Sequence, residues 1–239
     1  AFDEILANFL VLSENRKKIK KNKKNKYFES SISNKILKNL TFKLTKSQKN
    51  VLEEINLDLK SDTRMFRIIQ GDVGSGKTIV ALLSIANVIE GKQQCALMAP
   101  TEILAKQHFD LAKKIFINTK IKIELLTAKT EIKKRKKIID DLENGKLHFI
   151  IGTHSLFQKK INFKNLGLAI IDEQHKFGVK QRSELARKGG NNCDVLLMSA
   201  TPIPRTMVMS LYGDMDISKI TEKPAKRKKI ITLSKPEKK

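Results

Sequence analysis

The sequence predicts an α/β fold in which a mostly parallel sheet is covered by helices on both faces. Three observations predict it. Short, near-continuous apolar runs alternate with segments of helical period, which is the pattern of strands buried on both sides. Polar clusters stand where those runs end, at Pro100-Thr101-Glu102, Gly152-Thr153-His154, Asp172-Glu173-Gln174-His175 and Ser199-Ala200-Thr201. A glycine-rich loop, Gly71-Asp72-Val73-Gly74-Ser75-Gly76-Lys77-Thr78, joins an apolar run to a helical segment.

The elements follow in chain order. Phe2, Ile5, Leu6, Phe9 and Leu10 share one helical face, and the helix runs into Arg16–Lys26, with eight basic residues in eleven. That basic stretch is either a solvated arm or a nucleic-acid contact. In Leu44-Thr45-Lys46-Ser47-Gln48, Thr45 can cap a helix while Gln48 reaches back as the other half of a capping box. Gln48 also carries a donor and an acceptor that match an adenine edge, and the two roles are compatible. Phe66, Ile68 and Ile69 read as a buried strand, and Ile79 to Glu90 as a helix stopped by Gly91. Strands are then expected at Gln94–Ala99, Ile121–Leu126, Leu147–Gly152, Gly167–Ile171 and Asp194–Ser199. Helices are expected from Pro100-Thr101 to about Phe116 and from Glu131 to Asn144, the second stopped at Gly145.

The loop Gly71–Thr78 fits the pattern G-x-x-x-x-G-K-[ST]. Its glycines let backbone N–H groups close around phosphate oxygens, and the following helix points its positive end at the same anion. In such a loop Lys77 reaches the β- and γ-phosphates and the Thr78 hydroxyl ligates Mg²⁺. Ligands of parallel sheets collect at the carboxyl ends of the strands. Leu168–Ile171 delivers Asp172 and Glu173 to that edge, where Asp172 can hold Mg²⁺ and Glu173 can deprotonate a water.

Composition narrows the setting. The 239 residues carry a net charge of +23, with +6 on residues 1–40 and +7 on residues 219–239. That balance favours phosphate-bearing partners, although 40 lysines against 8 arginines also fits a plain compositional bias. Cys95 and Cys193 stand far apart without ligand spacing, which points to neither zinc nor disulfides and fits a reducing, cytoplasmic setting. No apolar run is long enough to span a bilayer. The missing initial Met and the lysine-rich tail lead us to expect an excised fragment.

Five motifs in order carry a resemblance. Gly71–Thr78, Ala99–Ala105, Gly152-Thr153-His154, Asp172-Glu173-Gln174-His175 and Ser199-Ala200-Thr201-Pro202 resemble motifs I, Ia, Ib, II and III of superfamily 2 helicases. Asp172–Arg182 (DEQHKFGVKQR) and Ser199–Thr206 (SATPIPRT) are similar to the RecG family of bacterial branched-DNA translocases. The related transcription-repair coupling factors usually carry DEEH, so Gln174 favours RecG. The resemblance spans residues 41–222 and implies a RecA-like, ATP-binding helicase lobe that uses ATP and Mg²⁺. It implies that residues 1–40 join a wedge domain to the motor and that residues 223–239 lead to a second motor lobe.

The resemblance also assigns roles. Gln48 and Thr45 contact adenine; Lys77 and Thr78 serve phosphates and Mg²⁺; Asp172 and Glu173 serve metal and water. Gln174, His175, Ser199 and Thr201 couple nucleotide state to the grip on DNA. Thr101, Thr153 and His154 lie along the DNA. Lys176 stands where the family usually has Arg, and Ala128 where Gly is common. The second lobe's arginine finger, worth roughly 10³–10⁵ in rate, is not in these 239 residues, so the chain alone is expected to be nearly inactive. Two other readings stay open. A P-loop ATPase acting on protein or small molecules would ignore DNA. A non-catalytic nucleic-acid-binding module would be indifferent to Lys77.

Overall fold

A computed structural model describes residues 23–157, 160–173, 190–201 and 215–222. Its elements are α1 (Ser31–Asn39), α2 (Lys46–Lys60), β1 (Phe66–Gly71), α3 (Lys77–Glu90), β2 (Gln94–Met98), α4 (Glu102–Ile115), β3 (Ile123–Leu126), α5 (Ile132–Glu143), β4 (Phe149–Gly152), β5 (Leu166–Ile171), β6 (Asp194–Ser199) and β7 (Asp216–Ile220). Short 3₁₀ turns occupy His154–Phe157 and Gly190–Asn192. The seven strands lie in the order β3-β4-β2-β5-β6-β1-β7. Every pairing among them is parallel.

The apolar runs form strands because both faces of the sheet are covered. Along β2, Cys95 and Leu97 enter one core while Ala96 and Met98 enter the other. Leu168 and Ile170 of β5, and Leu196 and Met198 of β6, join the first; Ala169, Ile171, Val195 and Leu197 join the second. Helices α1 to α4 cover the first face, α5 the second. Helix α3 is buried nearly all round, which explains its apolar sequence. Cys95 and Cys193 are both fully buried. Burial pushes the Cys95 thiol well up and that of Cys193 up to about 12, so both behave as small apolar side chains.

Several boundaries differ from the sequence reading for local reasons. Helix α3 starts at Lys77 rather than Ile79, because Gly76 at φ 88° already turns the chain into it. Strand β3 starts at Ile123, after the Lys122 N–H has gone to the His148 Nδ1 at 3.0 Å. Strand β4 starts at Phe149, since the Leu147 N–H donates to the Asp141 carbonyl that closes α5. Helix α1 and the edge strand β7 were not anticipated. Glu90 holds α1, accepting from the N–H groups of Glu29, Ser31 and Ile32 and from the Ser31 hydroxyl.

The basic stretch Arg16–Lys26 is corrected at its end. Lys23 and Lys26 are neither a solvated arm nor a nucleic-acid contact. Lys23 Nζ lies 2.8 Å from both carboxylate oxygens of Asp194, and Lys26 Nζ lies 2.5 Å from Oδ2. Asp194 is fully buried at the start of β6 and also accepts the Met65 N–H at 2.6 Å. Lys23 further donates to the Asp58 carbonyl and Lys26 to that of Asn192. Burial lowers the Lys23 pKa, and the Asp194 charge pulls it back up. Residues 16–22 and the apolar helix before them lie outside the described residues. From residue 23 the chain packs on the lobe, with Phe28 and Ile36 in its first core.

Asp194→Ala leaves two ammonium groups and one N–H without their acceptor, and is expected to cost about 3–5 kcal/mol of stability. Urea denaturation should show the loss, and Lys23→Met, Lys26→Met and Asp194→Leu together should recover most of it. A second expectation concerns acid. Burial, with help from Lys122, lowers the His148 pKa, and its Nδ1 accepts a hydrogen bond only when unprotonated. The unfolded chain therefore takes up this proton first as pH falls. Stability from His148 should be complete above its ordinary value near 6.5 and drain away as pH drops toward its lowered one. Melting temperatures measured from pH 7.5 downward should fall less steeply in His148→Gln.

Candidate nucleotide and DNA site

The glycine-rich loop leaves β1, the strand next to the edge strand β7, at the carboxyl edge of the sheet. Gly74 and Gly76 take positive φ, at 77° and 88°. A Cβ on Gly76 would overlap the Gln48 amide nitrogen, so that position needs glycine for space as well as for conformation. Helix α3 has Gly76 as its N-cap and no side-chain cap, leaving its first N–H groups for an anion. The Ser75 hydroxyl is buried and has no protein partner. Lys77 Nζ donates to the Gly71 and Asp72 carbonyls at 2.6 and 3.0 Å. Burial lowers the Lys77 pKa, while Asp172, Glu173 and Asp72 act to raise it. The loop lysine and the carboxylate pair thus face each other, although β6 lies between their strands in the sheet.

Asp172 follows β5, and its N–H still pairs with the Met98 carbonyl of β2. Its Oδ1 accepts the Glu173 N–H at 3.0 Å, and its Oδ2 lies 2.7 Å from His108 Nε2. Glu173 has φ 49°, a left-handed conformation that L side chains take at a cost of order 1–3 kcal/mol. Among the described residues no group of three or more His, Cys, Asp or Glu side chains forms a metal cage. Magnesium seldom needs one, since one carboxylate and substrate phosphates commonly suffice. Thr78, half-buried one residue beyond Lys77, and Asp172 fit that role.

Gln48 realises the capping box: its Oε1 accepts the Thr45 N–H at 2.9 Å and Thr45 Oγ1 accepts the Gln48 N–H at 3.2 Å. Its Nε2 also donates to the Ser75 carbonyl at 2.8 Å, tying the cap to the phosphate loop. One amide N–H and one lone pair remain for a further partner. Glu222 adds a second cap, accepting the Ser47 N–H and hydroxyl, and these bonds lower its pKa. Ser199 is buried, and its hydroxyl donates to the Thr201 carbonyl at 3.1 Å, closing the turn after β6. Gln174 and His175 lie outside the described residues.

A groove of about 500 Å³ opens on the same edge, beside the loop that follows β2. Pro100, Glu102, Ala128, Arg135, Thr153, His154 and Ser155 line it. It brings Thr153 and His154 together. Thr101 stands next to it as the N-cap of α4, its hydroxyl accepting the Leu104 N–H. The sequence reading missed His108 and Arg135. His108 could have been found: Ala105, His108 and Ala112 fall at i, i+3 and i+7 on the buried stripe of α4. Arg135 gives no such signal within its run of basic neighbours.

A glycine-rich phosphate loop and an acidic pair at one edge of a parallel sheet define a P-loop nucleotide-binding lobe. The family model described as DEAD/DEAH box helicase matches residues 40–209, and the chain belongs to that family. It is 45% identical to the ATP-dependent DNA helicase RecG of Aquifex aeolicus, over 97% of this chain and 29% of that protein. It is 48% identical to RecG of Bacillus subtilis over 82% of this chain and 29% of that protein. The chain thus spans less than a third of the length of these relatives. A structure of RecG bound to a three-way DNA junction superposes with a TM-score of 0.85 at 41% identity, covering 96% of this chain and 31% of that one. The helicase MrfA bound to DNA, at 19% identity and a TM-score of 0.64, shares the RecA-like fold.

Lys77→Ala removes a charge-assisted phosphate contact and should weaken ADP binding about ten- to a hundredfold. Titration calorimetry at fixed Mg²⁺ checks it, and unaltered affinity would place the phosphates elsewhere.

Proposed function

We propose that this chain is the nucleotide-binding motor lobe, residues 41–222, of a RecG-type ATP-dependent DNA helicase. Such an enzyme remodels branched DNA, including replication forks and Holliday junctions, in recombination and repair. One observation carries the reading: the phosphate loop, the Asp172-Glu173 pair and the Thr153-His154 groove all open on one edge of the sheet. The 41%-identical relative that holds a three-way DNA junction supports the branched substrate.

On this reading Gln48 and Thr45 meet adenine, the loop from Gly71 to Thr78 cradles the phosphates, and Lys77 donates hydrogen bonds to them. Thr78 and Asp172 would hold Mg²⁺, which would supply positive charge beside the phosphates. Glu173 takes the proton of the attacking water at its carboxylate. Thr101, Thr153 and His154, with Arg135, contact the sugar-phosphate backbone and so give affinity without base sequence. Ser199 and Thr201, with Gln174 and His175, link the phosphate end of the site to the DNA side. Residues 1–40 connect to a wedge domain and residues 223–239 to a second motor lobe, which completes the catalytic site with an arginine. Two buried thiols fit a reducing cytoplasm.

The purified chain tests the reading. It should bind duplex and three-way-junction DNA without base preference, losing at least about tenfold in affinity between roughly 50 and 200 mM salt. Its ATP hydrolysis should stay near background with or without DNA, because one lobe supplies one wall of the transition state. Salt-independent binding would remove DNA from the account, and robust DNA-stimulated phosphate release would remove the second lobe's share.

A further inference from the structure

His108 is buried, polar and unused by any role so far given to the site. It sits on α4 between Ala105 and Ala112, both fully buried, where an apolar side chain would ordinarily pack. Its Nε2 lies 2.7 Å from Asp172 Oδ2. A carboxylate only accepts, so Nε2 carries the proton of this bond. The other carboxylate oxygen, Oδ1, takes the Glu173 N–H. Between them the two donors fix both torsions of the Asp172 side chain.

We propose that His108 is the positioning residue for Asp172, holding its carboxylate in the orientation that receives Mg²⁺. The inference rests on the reading of Asp172 as the metal carboxylate. An unrestrained Asp side chain samples several rotamers, and each metal-binding event would have to select one of them. A donor on one oxygen removes that cost and leaves lone pairs on both oxygens for the metal's water shell. The donor also comes from an element with a second task. About 9 Å along the axis from His108, at 1.5 Å per residue, the same helix opens with Glu102 on the groove wall. The orientation of Asp172 is therefore set jointly by the Glu173 N–H that follows it and by the helix whose first turn borders the groove.

The test is calorimetric titration of ADP into the full 239-residue chain over a Mg²⁺ series, with thermal melts as a check on folding. His108→Leu keeps the volume and loses the donor. It should raise the Mg²⁺ concentration that half-saturates the effect on ADP affinity about tenfold, with affinity in EDTA unchanged. His108→Gln carries an amide N–H where Nε2 stands and should return the Mg²⁺ dependence close to that of the unaltered chain. A histidine that only fills the core predicts the reverse, with Leu tolerated and both variants normal toward Mg²⁺; that result overturns the proposal. Should His108→Leu fail to fold, His108→Gln and His108→Asn decide between them. Gln normal with the shorter Asn impaired supports positioning, while equal Mg²⁺ dependence in both overturns it. Asp172→Asn separates the two levels. If it leaves the Mg²⁺ dependence intact, the reading of Asp172 fails first and the inference with it.

Discussion

Every strand pairing in the described sheet is parallel, and this constraint decides where the chemistry can be. Parallel strands send each following loop out at one edge, so residues distant in sequence arrive together there without dedicated contacts. Gly71, Ala99, Gly152, Asp172 and Ser199 are all reached in this way. The helices that return to the opposite edge begin at the same place, which points the N-termini of α3 and α4 toward the region where an anion would lie. The phosphate loop, the acids and the groove are separate inventions of sequence, but one topological fact brings them into a single field.

The two edges of the sheet hold different polar groups. At the amino edge Asp194 is buried with two lysines and a backbone N–H, and each lysine has a further carbonyl. Buried charge of that kind persists only when its hydrogen bonds are complete. The carboxyl edge carries a buried hydroxyl with no protein partner at Ser75, a left-handed Glu173 and an α3 without a side-chain cap, while the end of α3 and the turn into β2 at the amino edge have a left-handed Lys92 and unpartnered buried amide oxygens at Asn87 and Gln93. What tells the edges apart is the kind of polar group: a closed ion cluster around Asp194 on one, and a glycine-rich loop facing Asp172 and Glu173 on the other.

Much of this was legible in the sequence. Six of the seven strands and the phosphate loop were written in apolar runs and glycine spacing, because burial on both faces leaves strong local signals. The capping box at Thr45 and Gln48 was legible for the same reason: its partners are three residues apart. Strand β7 was not, since an edge strand reading Asp216-Ile217-Ser218-Lys219-Ile220 is short, polar and half exposed. Lys23 and Lys26 looked like their basic neighbours, and what distinguishes them is Asp194, roughly 170 positions away. His108 and Asp172, 64 apart, are the same case. Local pattern reports periodicity and turns; it is silent on which distant charge a side chain will meet.

Strand β6 has an ionic clamp at one end and the Ser199-Ala200-Thr201 turn at the other. Its backbone is near full extension, so it has almost no slack to take up between them. A pull on Lys23 or Lys26 would be carried through their ammonium groups into Asp194. From there it would pass along β6, between β5 and β1, to the rim where the nucleotide loop begins. The strand is a tie rod that gives residues 23–26 a stiff mechanical connection to the opposite edge of the sheet.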